Sequence, residues 1–219
     1  MGHRFRPRLS ACVIADQAIF LDLESDRYFS LAGPPAQAVK ALLAGEAAAP
    51  DSLARLMEAG LVRKVPGAGP LGVVPIATPT RSLLEEGGSA PPWRLTAVLD
   101  TALSIGRAHQ ALKRRPLHEI LEGLQDRRLP RASSGDMDRD GYEVARAYLA
   151  ARRLAPVAPK CLADSLALLD QLLRRGCSAD LVFGVKLHPF SAHCWVQARD
   201  VVFNDAIDHV TLHTPILVV

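Results

Sequence analysis

The chain has 219 residues, 49% of them hydrophobic, which is enough for one large domain or two small ones with their own cores. Its 26 basic and 23 acidic residues nearly cancel. A net charge of +3, with only 5% aromatic residues, argues against a nucleic-acid-binding surface. No apolar run reaches membrane-spanning length, and the four cysteines show no Cys-x-x-Cys spacing. We therefore expect a reduced, cytoplasmic protein with no membrane span and no nucleic-acid partner.

Residues 1–65 show alternating apolar segments followed by helical spacing, a pattern that predicts a small winged-helix-like domain. Asp16-Gln17 and Ser25-Asp26 predict turns between the strands, and Pro34-Pro35 predicts the start of a helix. The predicted elements are three strands, Ala11–Ala15, Ala18–Leu23 and Arg27–Leu31, and two helices, Ala36–Ala44 and Leu53–Ala59.

This region resembles the PqqD-like peptide-recognition domains of ribosomal peptide modification systems, through the segments "IFLDLESDRYFSL" and "LARLMEAGLV". The family has a further helix between these segments, for which "AGEAAA" is too short. The resemblance implies that a leader peptide binds as an added strand beside the third predicted strand, against the last helix. The alternative is an ordinary small domain whose own core contains Tyr28 and Phe29. The leader-binding residues that the resemblance implies are Arg27, Tyr28, Phe29, Ser30, Leu31, Leu53, Leu56 and Met57.

Residues 66–92 are rich in proline and glycine and are interpreted as a linker, packed in part through Val73, Val74 and Ile76. Residues 93–219 then predict a second domain of several helices packed on an antiparallel sheet, so the whole chain is expected to be α+β. The predicted helices run from Trp93 to about Leu112, from Pro116, from Tyr142 to Leu154 and from Cys161; the predicted strands are Leu181–Val185, His193–Ala198, Val201–Asn204, Val210–His213 and Ile216–Val219.

Cys161 opens the most informative of these helices. Pro156 and Pro159 keep the preceding chain extended, and Gly176 suits the left-handed residue that ends a helix. Leu162, Leu166, Leu169 and Leu173 give the helix an apolar face. Unpaired N–H groups and the helix dipole in the first turn stabilise a thiolate, so Cys161 is a candidate nucleophile.

A catalytic cysteine needs a base, and the base needs an orienting acceptor. His193 and Asp205 follow Cys161 on what is predicted to be a strand hairpin. If the two side chains faced each other directly, the turn would be centred on Arg199 and would need an odd-length loop or a bulge. A two-residue turn at Arg199-Asp200 would instead place Asp205 on the face opposite His193.

The segments "KCLADSLALLDQLLRRG", "LVFGVKLHPFSAHCWV" and "VVFND" closely resemble the transglutaminase-like cysteine peptidases of lasso peptide biosynthesis. A PqqD-like domain fused ahead of such a peptidase is the arrangement of fused lasso maturation proteases. The resemblance implies a papain-like, transglutaminase-like peptidase in which Cys161 is the nucleophile, His193 the base and Asp205 its orienting group. It also implies a precursor peptide as substrate, an asparagine-synthetase-like cyclase as partner and, in some members, ATP dependence. The chain has no glycine-rich phosphate loop, so we expect no bound cofactor.

Two other functions are compatible with these residues: an acyltransferase that joins glutamine to an amine, and a non-catalytic leader-binding scaffold. Among rival side chains, Cys194 is expected to fill the core on the opposite face of the sheet from His193. Cys177 has no base in prospect, and His188 is interpreted as a rim residue. Trp195 shares a face with His193, where it shields the imidazole or belongs to the core. A zinc site is not expected, since no close pair of ligands has metal spacing.

Overall fold

A computed structural model describes residues 2–67, 69, 71, 75–86, 95–127 and 139–219. The described chain is a mixed α and β structure that divides into two compact units. The first unit comprises Met1–Pro75, Val185–Ser191 and Thr214–Leu217, and the second comprises Ile76–Gly184, Ala192–His213 and Val218–Val219. Within the described residues, no helix combines the length and apolar character needed to span a bilayer.

The N-terminal part of the first unit contains two antiparallel sheets and two helices. The sheet order is β2-β3-β4, and β1 pairs separately with β5. All five elements predicted here are present, whereas β1 and its pairing with β5 were not predicted. The elements are β1 (Gly2–Phe5), β2 (Leu9–Ile14), β3 (Gln17–Asp22), β4 (Arg27–Ala32), α1 (Pro34–Ala44), α2 (Pro50–Glu58) and β5 (Val62–Val65).

Helix α1 packs against the three-stranded sheet because both present an apolar face. Pro34 and Pro35 begin the helix, and Gly45, in the left-handed conformation, ends it. Phe20 is fully buried at the centre of this core, and its ring stacks on Phe29 at 4.8 Å. In the described part of the chain, β4 pairs only with β3 and is therefore an edge strand of this sheet.

From residue 75 onwards, the described residues form five helices and a five-stranded sheet of order β10-β7-β8-β9-β6. Strands β8 and β9 are antiparallel, but β6 and β9 are parallel. The prediction of an antiparallel sheet was therefore wrong for β6. The elements are β6 (Arg81–Ser82), α3 (Leu95–Arg114), α4 (Leu117–Gln125), α5 (Arg139–Arg152), α6 (Cys161–Arg174), β7 (Asp180–Lys186), β8 (Ser191–Ala198), β9 (Val201–Val202), α7 (Ile207–Thr211) and β10 (Thr214–Val218).

Helix α6 begins at Cys161, as predicted, and Gly176 follows its end in the left-handed conformation. Its buried face is broader than the predicted leucine stripe. Ser165 and Gln171 are buried together with Leu166 and Leu169, whereas the ends of the stripe are only half-buried. The helix therefore lies in the interior of the second unit, with its first turn at the surface.

Two predicted strands differ from the structure. The residues Val210–His213 do not form an edge strand, because Ile207–Thr211 form the single-turn helix α7. The strand predicted to run to Asn204 ends at Val202, after which the chain bends. The helix expected from Trp93 is described from Leu95 onwards.

The predicted linker 66–92 is described only in part. Residues Arg81–Ser82 form β6, and the Leu83 N–H donates to the carbonyl of Val202 at 2.9 Å, so this part packs against the sheet. Ile76 packs against the apolar cluster around Trp195, as expected. The packing expected for Val73 and Val74 lies outside the described residues. The domain boundaries at 65 and 93 stay a prediction.

Candidate active site

Cys161 is the first residue of α6 and the one exposed cysteine among the four, since Cys12, Cys177 and Cys194 are buried. Its position leaves the N–H groups of the first helical turn around the sulfur without partners in the helix. These groups and the helix dipole favour negative charge there. Cys161 is therefore the accessible thiol placed where a thiolate is stabilised.

Two side chains hydrogen-bond to the sulfur of Cys161. Hydrogen bonds from the thiol of Cys194 and the imidazole of His193 lower the pKa of Cys161 to about 4, against the opposing effect of burial. The backbone N–H of Cys194 is a further donor to the same sulfur. Donation to Cys161, together with burial, raises the pKa of Cys194, so Cys194 stays neutral and acts as a donor. Cys194 is buried in the core, as predicted, but it also hydrogen-bonds to the sulfur of Cys161, which the sequence analysis did not anticipate.

His193 lies between Cys161 and Asp205. Its Nε2 hydrogen-bonds to Oδ2 of Asp205, which leaves Nδ1 for the sulfur. Burial lowers the pKa of His193, but hydrogen bonds with Asp205 and Cys161 outweigh this effect and raise that pKa to about 9. Trp195 stacks on the imidazole with ring centroids 6.1 Å apart. The structure thus brings together Cys161, His193 and Asp205.

Asp205 reaches His193 by a route that the sequence analysis did not anticipate. The turn at Arg199-Asp200 has two residues, because Ala198 pairs with Val201. This register alone would put Asp205 on the opposite face from His193. The strand ends instead. The side chain of Asn204 accepts the Val196 N–H at 2.8 Å, replacing the next backbone bond of the ladder, and the chain bends through Phe203–Asp205.

Asn204 also connects the three elements that carry the site. Its Nδ2 donates to Oγ of Ser165 on α6 at 2.8 Å, and that hydroxyl donates to the carbonyl of Cys194 on β8 at 3.2 Å. Ser82 of β6 donates to the carbonyl of Asp205 at 2.5 Å. Ser165 is four residues after Cys161, on the same face of α6, so this network fixes the nucleophile's helix against the strand of His193.

Sequence reasoning missed Ser82, Ser165 and Asn204. A signal for Asn204 existed, because an Asn-Asp pair directly after the apolar "VVF" is unfavourable within a strand. Nothing in the sequence distinguished Ser165 from other serines. Ser82 lies within the segment interpreted as a linker.

The start of α6 is held by a partly buried ion pair. Asp164 accepts two hydrogen bonds from Arg152 of α5, at 2.8 and 3.3 Å, and one from the Lys160 N–H at 3.1 Å. Tyr148 donates to the carbonyl of Asp164 at 2.9 Å. Arg152 pairs with the carboxylate of Asp164 in the first turn of α6, so Asp164 stabilises the helix start while its charge is offset by a cation.

The predicted leader-binding residues lie on β4 and α2 of the first unit. Arg27 and Ser30 are exposed on the edge strand, and the ring of Tyr28 lies 5.7 Å from that of Phe190. The other five contribute to the core of the first unit: Phe29, Leu31, Leu53, Leu56 and Met57. Their contacts with a leader stay a prediction.

The remaining side chains considered from the sequence occupy other positions. Cys177 is buried, and its thiol contacts the carbonyl of Arg175. His188 lies in the turn before Pro189, in a segment that belongs to the first unit.

A close ligand pair at metal spacing does exist, contrary to the sequence analysis. Asp205 and His209 are four residues apart, and together with His193 they place potential ligand atoms within 4.8 Å of one another. Hydrogen bonds of Asp205 with both imidazoles already account for this proximity.

A helix-borne thiol paired with an imidazole that is itself oriented by a carboxylate can form and hydrolyse a thioester. Such a site is typical of peptidases and acyltransferases that use a cysteine nucleophile. The family model described as the Transglutaminase-like superfamily matches residues 95–218, more than half of the chain. The chain belongs to this superfamily. Searches among curated proteins and among solved structures gave no match.

Proposed function

We propose that this protein is the leader peptidase of a lasso peptide maturation pathway, which binds the leader of a precursor peptide and cleaves it from the core. The observation that carries the proposal is the alignment of Cys161, His193 and Asp205 at the exposed start of a buried helix. The resemblance of both halves of the sequence to parts of lasso maturation proteases supplies the pathway. Neither the precursor nor the cyclase is identified by the superfamily.

In the proposed reaction the Cys161 thiolate attacks the carbonyl carbon of the last leader residue. His193, protonated in the ion pair, donates its proton to the leaving amine, which becomes the N-terminus of the core. Water then attacks the thioester while His193 accepts its proton. Asp205 holds the imidazole in the tautomer that keeps Nδ1 towards sulfur. The Cys161 N–H is the first donor to the oxyanion.

The proposed substrate is held by the first unit. Strand β4 is at the edge of its sheet, and in the proposal an extended leader adds to it as a further strand. A separate asparagine-synthetase-like cyclase would then close the ring on the newly exposed amine. The released core is therefore the product that the cyclase consumes.

The proposal predicts that a neighbouring gene encodes a short precursor, and it is tested by mixing the purified protein with that precursor and following the products by mass spectrometry. Hydrolysis gives two fragments whose masses sum to that of the precursor plus one water. We expect Cys161→Ala to abolish cleavage while precursor binding persists. Parallel reactions with and without ATP and the cyclase test whether either is required.

The same assay separates the alternatives. An acyltransferase would give a product heavier than the precursor, with the loss of ammonia. A non-catalytic scaffold would bind the precursor without cleaving it, and Cys161 would show no enhanced alkylation near neutral pH. Full cleavage by Cys161→Ala would refute the proposed peptidase.

A further inference from the structure

His209 makes an interaction with the carboxylate of Asp205 that the three-residue arrangement does not require. Its Nδ1 lies 3.0 Å from both Oδ1 and Oδ2 of Asp205. Hydrogen bonds from His193, His209 and the Ala206 N–H outweigh burial and hold the pKa of Asp205 below its usual range. An ionised carboxylate only accepts hydrogen bonds, so Nδ1 of His209 carries the proton and donates it.

Helix α7 places His209 at this distance. Asp205 stands just before the helix, its Oδ1 accepts the Ala206 N–H at 2.7 Å, and His209 follows one turn later. The helix is short but fixed, because Val210 is buried and Nδ1 of the buried His213 donates to the carbonyl of His209 at 2.9 Å. The donor of His209 is therefore presented from a fixed backbone.

The carboxylate needs this second anchor. Besides its hydrogen bond to His193, the ring that it has to orient, the carboxylate accepts the Ala206 N–H at Oδ1, and this bond alone lets Oδ2 tilt together with the imidazole. His209 contacts both oxygens, and its ring centroid lies 4.5 Å from that of His193. A tilt of Asp205 would move the acceptor on which His193 depends, and small misplacements of this kind lower catalytic rates strongly.

We propose that His209 is a positioning residue that locks the carboxylate of Asp205, so that this carboxylate holds His193 in line with Cys161. The proposal rests on the proposed function of the same site. It assigns His209 no contact with substrate, so its loss affects the chemical step and not precursor binding.

The test compares three variants in the full chain. In His209→Ala, kcat for precursor cleavage should fall about tenfold with KM unchanged, the loss expected for one charge-assisted hydrogen bond at a half-exposed site. His209→Asn carries an amide donor where Nδ1 was and should recover to within about threefold of the wild type. His209→Gln carries its donor one bond further out and should remain as impaired as the alanine variant.

A spectroscopic measurement makes the test independent of the substrate. The proton of His193 shared with Asp205 should give a far-downfield ¹H resonance, which His209→Ala shifts or broadens and His209→Asn preserves. Equal thermal midpoints for the variants exclude unfolding. An unchanged kcat and resonance in His209→Ala would overturn the proposal, as would failure of the asparagine variant to recover, or loss of wild-type activity on metal chelation. If the wild type does not cleave the precursor, the proposed function fails and the resonance still decides the role of His209.

Discussion

At the level of single residues, the reactive form of the site is an ion pair between Cys161 and His193. The pKa of Cys161 is lowered to about 4 and that of His193 is raised to about 9, because each group stabilises the charged form of the other. Between about pH 4 and pH 9 the thiolate and the imidazolium coexist, so the proposed cleavage has both its nucleophile and its general acid.

We expect the pH dependence to show both limits. Alkylation of Cys161 by iodoacetamide should slow only as pH falls towards about 4, where the thiolate is protonated. Cleavage should also decline above about pH 9, where His193 loses the proton that the leaving amine needs. Rates of both reactions across pH 3–10 check this, with Cys161→Ala as the alkylation control. An alkylation midpoint near 8.5, as for a free cysteine, would contradict the ion pair.

Substitutions of Cys194 test why the pKa of Cys161 is low. Its thiol donates to the sulfur of Cys161, so Cys194→Ala should raise the pKa of Cys161 and reduce alkylation at pH 5. Cys194→Ser keeps a hydroxyl donor and should retain most of the effect. Alkylation rates of the two variants across pH provide the comparison. If both behaved as the wild type, His193 and the helix dipole alone would account for the thiolate.

At the level of secondary structure elements, local patterns predicted most elements and non-local contacts decided the exceptions. Strands β2–β4 and helix α6 were predictable because alternation, capping and turn residues all agree with the final structure. Strand β1 was missed because its partner β5 lies about sixty residues away in sequence. Val210 and Thr211 favour a strand by propensity. They form a helix instead, because the Ala206 N–H donates to Asp205 just before α7 and because Val210 is buried.

The main residues of the candidate site could be predicted from the sequence, but the strand register that brings them together could not. The helix start at Cys161 and the order of His193 and Asp205 could be read from the sequence. The bend that brings Asp205 to His193 could not, because it depends on a hydrogen bond that the Val196 N–H of β8 donates to the side chain of Asn204. His209 was missed for a related reason, since α7 was predicted as a strand.

Gly184 of strand β7 packs directly against the side chains of Trp195 and His213, next to the candidate site. A Cβ at Gly184 would lie 2.8 Å from Cζ3 of Trp195 and 2.9 Å from Cβ of His213. Trp195 is buried and stacks on His193, so it cannot move without disturbing the imidazole. We expect Gly184→Ala to lower the free energy of unfolding by about 1–3 kcal/mol and to reduce kcat.

The matched control for this substitution is Gly106 in helix α3, where an added Cβ meets nothing within 4 Å. Gly106→Ala should stabilise the protein by about 0.5–1 kcal/mol, since alanine favours a helix over glycine. Urea denaturation of both variants measures the two effects. Equal free energies of unfolding for Gly184→Ala and the wild type would show that β7 accommodates the methyl group.

At the level of the whole molecule, the proposed function divides binding and chemistry between the two units. Arg27–Leu31 lie in the first unit, and Cys161, His193 and Asp205 lie in the second. The edge position of β4 makes a specific prediction about how a leader is held, because an added strand uses every second backbone N–H of the peptide for pairing.

We therefore predict that N-methylation of successive leader residues weakens binding with a period of two. Each methyl group that replaces an N–H directed at β4 should raise Kd about tenfold, since it removes one hydrogen bond and adds a steric clash. Neighbouring methyl groups, directed at solvent, should change Kd little. The measurement is isothermal titration of synthetic leaders into Cys161→Ala, which binds without cleaving. Strand addition at β4 would be contradicted if N-methylation weakened binding equally at every leader residue, or if only side-chain substitutions in the leader weakened it. Neither result would bear on the proposed chemistry of Cys161.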